Sequence, residues 1–300
     1  MYDGPIIDAH HHIWRLKDYP WLTTAPTPRL IGSDYGSLAH DYLIDDLLAD
    51  FGDNNVVKTV HMQAHWHGDP VDETAWLQSI ANERGYPHGI TGYAPLADPK
   101  VGDMLDRHMK FANFRGIRDV QYFMPGDKVL QAVPRADFCL SPEWRRGVRA
   151  LVDRDLICEL QGFHHQFGFF AALAAEFPRG RFALTHGGLP FRDDDAYFAE
   201  WRDALAVLAQ QPNVHVKCSG TNTFTRGPAP RAAHFVGRQY NAILDLFGAR
   251  RCYFSSNHPV EGLHISYDNL VAIVKAAVFH RPAAEQRAFF HDTAAAFYRI

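Results

Sequence analysis

Eight short runs of strand-forming residues recur along this chain, separated by stretches of helical periodicity or by loops. The runs are Ile6–Ile13, Val56–Ala64, Gly89–Leu96, Phe114–Gln121, Leu156–Phe163, Arg181–Gly188, Val214–Gly220 and Cys252–Pro259. Asp41–Asp50, Pro142–Asp153, Gln166–Phe177, Asp194–Ala209 and Ser266–Phe279 carry apolar residues at helical spacing. A repeated strand-then-helix order calls for a parallel sheet, because parallel neighbours need a crossover connection. Eight repeats point to closure into a (β/α)8 TIM barrel, not an open doubly wound sheet. No GxGxxG turn follows the first run, which argues against a dinucleotide site. The 300 residues suit one such barrel with insertions, so residues 1–300 are expected to form a single domain. Arg15–Gly36 and Phe123–Leu140 are long and rich in proline, aromatic and polar residues. Both are expected to be mouth loops, with Trp21, Tyr35 and Phe138 as pocket walls.

Composition narrows the partners. A net charge of −4 offers no electrostatic case for nucleic acid or an acidic membrane. No apolar run approaches the roughly 18 residues of a spanning helix. Asp3 and Asp8 interrupt the N-terminus, and no basic segment precedes it, so no signal peptide is expected. Cys139, Cys158, Cys218 and Cys252 are widely spaced, and the last three lie in apolar runs. They read as reduced core residues of a cytoplasmic protein, Cys218 as plain core filler. The expected partner is a small molecule. The aromatic loops suit a homo-oligomer and a lid equally.

In a barrel of this kind, chemistry gathers where strands end. His10, His11, His12, His65, His67, His164, His165, His186, His258 and His264 all fall at or just past such ends. Strand alternation places Asp8, His10 and His12 on one face, with Ala9 and His11 on the other. The fourth run ends on Arg118 and the fifth carries Glu159 and Gln161. The seventh carries Lys217, and the eighth closes with Asn257, His258 and Glu261. Several of these have a purely structural reading. His11 packs outward against a helix, His164 and His165 form a solvated pair, and Lys217 closes a salt bridge at the barrel end. Three imidazoles converging from His10, His12 and His186 suit ligation or proton transfer better than packing.

Ile6–Trp14, Phe114–Arg118, Leu160–Gln166, Leu184–Pro190, Asn213–Gly220, Cys252–Glu261 and Phe290–Arg299, in that order, resemble the amidohydrolase superfamily. The resemblance is to its amidohydrolase-2-type branch, which includes sugar-acid lactonases and 2-pyrone-4,6-dicarboxylate lactonase. It implies a hydrolase that opens a cyclic ester of small carboxylated or sugar-acid type. In metal-dependent members a strand-eight aspartate joins the histidines. Here Asn257 stands in that place, and it offers a neutral carbonyl oxygen and an amide but no base.

Two enzymatic courses follow. In one, metal is unnecessary: His10, His12, His186 or Arg118 polarises the lactone carbonyl, and His258, Glu261 or His164 serves as base. Asn257 orients the water or the leaving oxygen. Arg118 and Lys217 suit a substrate carboxylate, with Gln161, His164 and Trp14 completing the substrate contacts. In the other, His10, His12 and His186 hold a single zinc ion whose bound water attacks. Decarboxylation or hydration of a carboxylated ring is the enzymatic alternative. A barrel that binds a small ligand without turnover is the non-enzymatic one.

Overall fold

Seven of the eight neighbour pairings expected of a barrel are parallel ladders in chain order, and a single parallel bridge, His11 to His258, stands for the eighth. The computed structural model describes residues 1–24, 29–221, 223 and 229–300. Its strands are β1 (Ile6–His11), β2 (Val56–Met62), β3 (Gly89–Gly92), β4 (Phe114–Arg118), β5 (Ile157–Leu160), β6 (Arg181–Leu184), β7 (Val214–Cys218) and β8 (Cys252–Phe254). They run β1 to β8 in one sheet. The barrel closes where β1 meets the segment after β8. The Asn257 amide donates to the His10 carbonyl at 2.7 Å, and the His12 amide to the His258 carbonyl at 2.7 Å. The Asp8 carboxylate reinforces this seam, accepting from the Ser256 amide at 2.8 Å and the Tyr267 hydroxyl at 3.2 Å.

The helices are α1 (Ile44–Asp50), α2 (Pro70–Arg84), α3 (Val101–His108), α4 (Pro142–Asp153), α5 (Phe167–Glu176), α6 (Asp195–Ala209), α7 (Ala229–Phe247), α8 (Tyr267–Val278), α9 (Ala283–Arg287) and α10 (Thr293–Tyr298). Their starts are written locally. Asp69, Ser141, Asp194 and Ser266 each accept a backbone amide of the first turn, and Pro70 and Pro142 occupy positions where no amide is needed. Helix α2 is poorly amphipathic because two polar residues lie on its buried face. Glu73 takes the Tyr19 hydroxyl and the Ala64 amide, and Thr74 bonds His108. No described helix is long and apolar enough to cross a membrane.

Two apolar layers result. Leu160, Leu184, Val216 and Phe254 face outward and pack with Trp144, Phe170, Trp201 and Val274 of the helices. Ile7, Ala9, Val60, Ile157, Ala183 and Tyr253, drawn from opposite sides of the sheet, meet inside the barrel with Phe297 and Tyr298 of α10. The C-terminal helix thus plugs the end of the barrel away from the mouth. All four cysteines are buried and unbridged.

Several strands stop short of the sequence expectation. β3 ends at Gly92, β6 at Leu184 and β8 at Phe254, because the chain beyond leaves the sheet. His65, His186 and Asn257 take left-handed backbone with φ of 64°, 56° and 61°. Such residues cannot continue a ladder, and they turn side chains into the mouth instead. Strict alternation along β1 fails as well. Ile7 and Ala9 alternate into the interior while Asp8 turns to Ser256 and Tyr267, and the register irregularity between Asp8 and His11 then parts Asp8 from His10 and His12.

The seam yields a prediction. Asp8→Ala leaves the buried Ser256 amide and Tyr267 hydroxyl without an acceptor, a loss of about 1–3 kcal/mol for each group left unpaired. Urea unfolding is expected to show a clear drop in stability for Asp8→Ala and a smaller one for Asp8→Asn. Equal stability of Asp8→Ala and wild type would mean that the carboxylate does not hold the seam.

Candidate active site

A cavity of about 310 Å³ opens at the C-terminal ends of the strands. His12 and Trp14 line it from the end of β1, His65 from β2, Arg118 and Tyr122 from β4, Gln161 from β5, His186 from β6, and Asn257 and Val260 from β8. The first mouth loop adds Trp21, Arg29, Leu30 and Ile31, and the second adds Val129. Of the pocket walls expected from sequence, only Trp21 lines this space. Tyr35 packs behind Trp21 with ring centroids 5.9 Å apart, and Phe138 lies against Trp144. Residues 25–28 of the first loop lie outside the described residues.

Three imidazoles meet at the floor. The His10 ring centre is 5.1 Å from that of His12 and 4.6 Å from that of His186. Nδ1 of His12 lies 2.8 Å from the Met62 carbonyl, so this nitrogen carries the proton and Nε2 is the basic one. Nδ1 of His186 pairs with the Ser219 hydroxyl at 2.8 Å. Among the described residues neither ring nitrogen of His10 has a hydrogen-bond partner, although the ring is fully buried. Burial first, and neighbouring positive charge second, hold all three far below the ordinary histidine range, so they are neutral. His11 is buried beside His61 at 5.5 Å between ring centres, off the floor of the site.

Arg118 is the buried cation of the cavity. One guanidinium nitrogen donates to the Gln63 carbonyl at 2.5 Å and another reaches the Gln161 side chain at 3.5 Å, while Nε has no partner. Among the described residues it has no carboxylate in ion-pair contact. Burial lowers it to about 10, which leaves it charged at neutral pH, while the more distant Glu159 and Glu73 act in the opposite sense. A buried guanidinium without a counter-ion is costly unless an anion or a developing negative charge reaches it. Arg29, which the sequence reading did not single out, lies over the Trp21 ring at 5.2 Å. Tyr122 was likewise missed. The only signals for either were its place in a mouth loop and its distance past the fourth strand.

The expected site residues divide in two. His12, His186, Asn257, Arg118, Gln161 and Trp14 line one cavity, with His10 directly against the two histidines. The other four stand elsewhere. His258 is buried against Tyr267, and burial takes it down to about 4. The Glu261 carboxylate accepts from the backbone amide and hydroxyl of Thr223. His164 sits half-buried against Tyr197, its Nε2 3.8 Å from Glu200. These three positions correct the expectation of a base from His258, Glu261 or His164, because none reaches the cavity. Lys217, expected to touch substrate, is fully buried in an ion pair with Glu159 at 2.8 Å and does not line the cavity.

The donor set does not fit a resident divalent ion. Among the described residues no three histidine, cysteine or carboxylate groups converge on one point. Glu159 is committed to Lys217, Asp8 faces the seam, and Asn257 brings no charge. The Arg118 charge acts directly on His12 and His186, where it opposes a dication. The feature that favours a metal is the His10 ring, which has no hydrogen-bond partner among the described residues.

Comparison with known proteins places this geometry. Residues 7–300 match the amidohydrolase family profile Amidohydro_2. The chain is 39% identical over its whole length to uncharacterized protein y4mH of Sinorhizobium fredii, also covered in full. It is 31% identical to the L-fucono-1,5-lactonase of Burkholderia multivorans, over 98% of this chain and 96% of that one. Crystal structures of a Burkholderia multivorans amidohydrolase superpose with TM-scores of 0.82 at 30% and 29% identity, covering 99% of this chain and 100% of that one. One contains HEPES and the other zinc.

Burial of neutral histidines predicts the pH dependence of stability. Unfolded histidines bind protons below about pH 6.5. His10, His12, His61 and His186 remain neutral far below that when folded, His11 down to about 3, and His65, His108, His215 and His258 to about 4. Each therefore weakens the fold as pH falls below 6.5. Asp8, Glu73 and Asp119, raised by burial to about 6, 7 and 7, act oppositely and favour the fold as pH falls towards their unfolded values near 4. The histidines outnumber them, so Tm is expected to fall between pH 7 and pH 5. A Tm that rises over that interval would contradict the neutral-imidazole description.

Proposed function

The chain belongs to the amidohydrolase family, and from that premise we propose that this hydrolase opens a small lactone of carboxylated or sugar-acid type by attack of water at the barrel mouth. One observation carries the reading: a neutral imidazole with a fixed tautomer and an unpaired guanidinium share one cavity. That pair supplies a base and a charge stabiliser, which is what hydrolysis of an ester requires.

The chemistry balances with these residues alone. Nε2 of His12 takes a proton from water as the oxygen bonds to the carbonyl carbon. Negative charge builds on the former carbonyl oxygen, where Arg118 stabilises it. The bond from carbon to ring oxygen then breaks, and the ring oxygen takes the proton back from the His12 imidazolium. The product is a hydroxy acid whose carboxylate, or one already on the substrate, pairs with Arg118. The Asn257 side chain, whose amide lies 3.4 Å from the Thr223 hydroxyl, orients the water or the leaving oxygen. Trp14 and Trp21 offer flat apolar faces to the ring. This course uses no metal. Four unbridged cysteines suit a reducing compartment, and we place the protein in the cytoplasm, with residues 1–300 acting as one domain.

A panel of sugar lactones and carboxylated pyrones tests the reading. Hydrolysis of at least one is expected, with His12→Ala lowering kcat by about 10²–10⁴-fold, the usual share of a general base. Chelation is expected to leave activity intact. Zinc near one equivalent together with loss of activity on chelation would assign His10, His12 and His186 to a metal instead. No turnover on any cyclic ester would overturn the lactone reading.

A further inference from the structure

A buried polar chain runs from the site to the opposite end of the barrel. Its centre is Glu159. One carboxylate oxygen meets the Lys217 ammonium at 2.8 Å, the Tyr298 hydroxyl at 2.7 Å and the Thr91 hydroxyl at 3.4 Å. The other accepts from Thr185 at 3.2 Å. Tyr298 in turn lies 3.2 Å from the Tyr253 hydroxyl, and Lys217 sits 5.2 Å from the Tyr298 ring centre. The Tyr298 carbonyl is held by Arg115 at 2.8 Å. Lys217, Glu159 and Tyr298 are all fully or almost fully buried.

Such a pair is poor value as a stabiliser, since desolvation of both ions roughly cancels their attraction and apolar residues of similar size serve as well. Its placement has a different consequence. Thr185, which precedes His186, donates to Glu159, and Ser219, two residues after Lys217, pairs with His186 at 2.8 Å, so the ion pair lies just under the floor of the site. The hydrogen-bond alignment of Lys217 with Glu159 is imperfect, and the position of the carboxylate depends on its remaining partners. The strongest of these by distance is the last residue but two of the chain.

We propose that Tyr298 is a positioning residue of the reaction, acting across the barrel through Glu159 to hold Lys217 beneath His10 and His186. This rests on the lactone reading, in which negative charge develops above that floor. A fixed ammonium in a low-dielectric setting favours the charge, and one that drifts or gives up its proton to Glu159 favours it less. Arg118, Asp8, His10, His11 and His186 also interact electrostatically with Lys217, and the Tyr298 ring faces it at 5.2 Å. Among the described residues the Tyr298 hydroxyl bonds Glu159 and Tyr253, and of these two Glu159 is the one that holds the Lys217 ammonium.

Tyr298→Phe removes that hydroxyl and keeps the ring under Lys217. With a cooperative melt retained, kcat is expected to fall about 10- to 100-fold, the scale of one displaced charge stabiliser, with KM changed less than about twofold. In a Lys217→Met background the same substitution is expected to change kcat less than about twofold, because the route it acts through is gone. An equal loss in both backgrounds, or none in wild type, would overturn the proposal. The Nζ resonance of Lys217 in ¹⁵N-lysine-labelled protein is expected to move in Tyr298→Phe while the other lysines stay put. An unmoved resonance overturns the proposal whether or not any lactone is hydrolysed. Turnover that Tyr298→Phe leaves intact likewise sinks it and spares the lactone reading. Inert wild-type protein with a moved resonance sinks the lactone reading, and the reaction role with it, leaving only the Tyr298–Lys217 contact. Should Tyr298→Phe not fold, Tyr253→Phe removes the hydroxyl behind it and is read in the same way.

Discussion

The closure of β8 onto β1 is the constraint from which the site follows. Two backbone hydrogen bonds, from Asn257 to His10 and from His12 to His258, join the first functional segment to the last across some 245 residues of chain. The same atoms that close the barrel set the spacing between the strand-one imidazoles and Asn257. Asp8 fastens this seam from outside, and its departure from the histidine face lets His10 and His12 turn inward together. Regular alternation continued from the outward-facing Asp8 would send both histidines to the helices.

Desolvation then decides the chemistry of what the seam brings together. Histidine in water is half-protonated near neutral pH, but buried imidazoles beside Arg118 and Lys217 stay neutral. Neutral rings can accept a proton, and a neutral site with a nearby guanidinium welcomes negative charge and resists a dication. The layering is vertical. Arg118, His12 and His186 face the cavity, His10 sits against the two histidines, and the Lys217–Glu159 pair lies below with Tyr298 beneath it. Charge in the mouth is thereby tied to packing at the far end of the barrel.

Much of this was legible from residue order. Alternating strand and helix patterns are local signals, and so are the caps Ser141, Asp194 and Ser266, so α4, α6 and α8 fall within a residue of the periodic stretches. Helix α2 was less legible because Glu73 and Thr74 face inward to serve Tyr19 and His108, partners distant in sequence. Strand ends were overextended where His186 and Asn257 adopt left-handed backbone, a conformation that a run of apolar residues does not announce. Proximity in sequence also misled. His258 and Glu261 follow Asn257 closely, yet the turn after Asn257 sends them to Tyr267 and Thr223.

By itself the sequence determined the barrel, the end of it where a cavity opens, and three histidines that meet there, because strand periodicity and residue type are local properties. Only the tertiary structure decided which of the charged and titratable groups face one another. Arg118 and Lys217 look alike in a strand-end motif. One is left unpaired against the cavity and the other is neutralised below it, because a counter-ion is a neighbour in space and not in sequence.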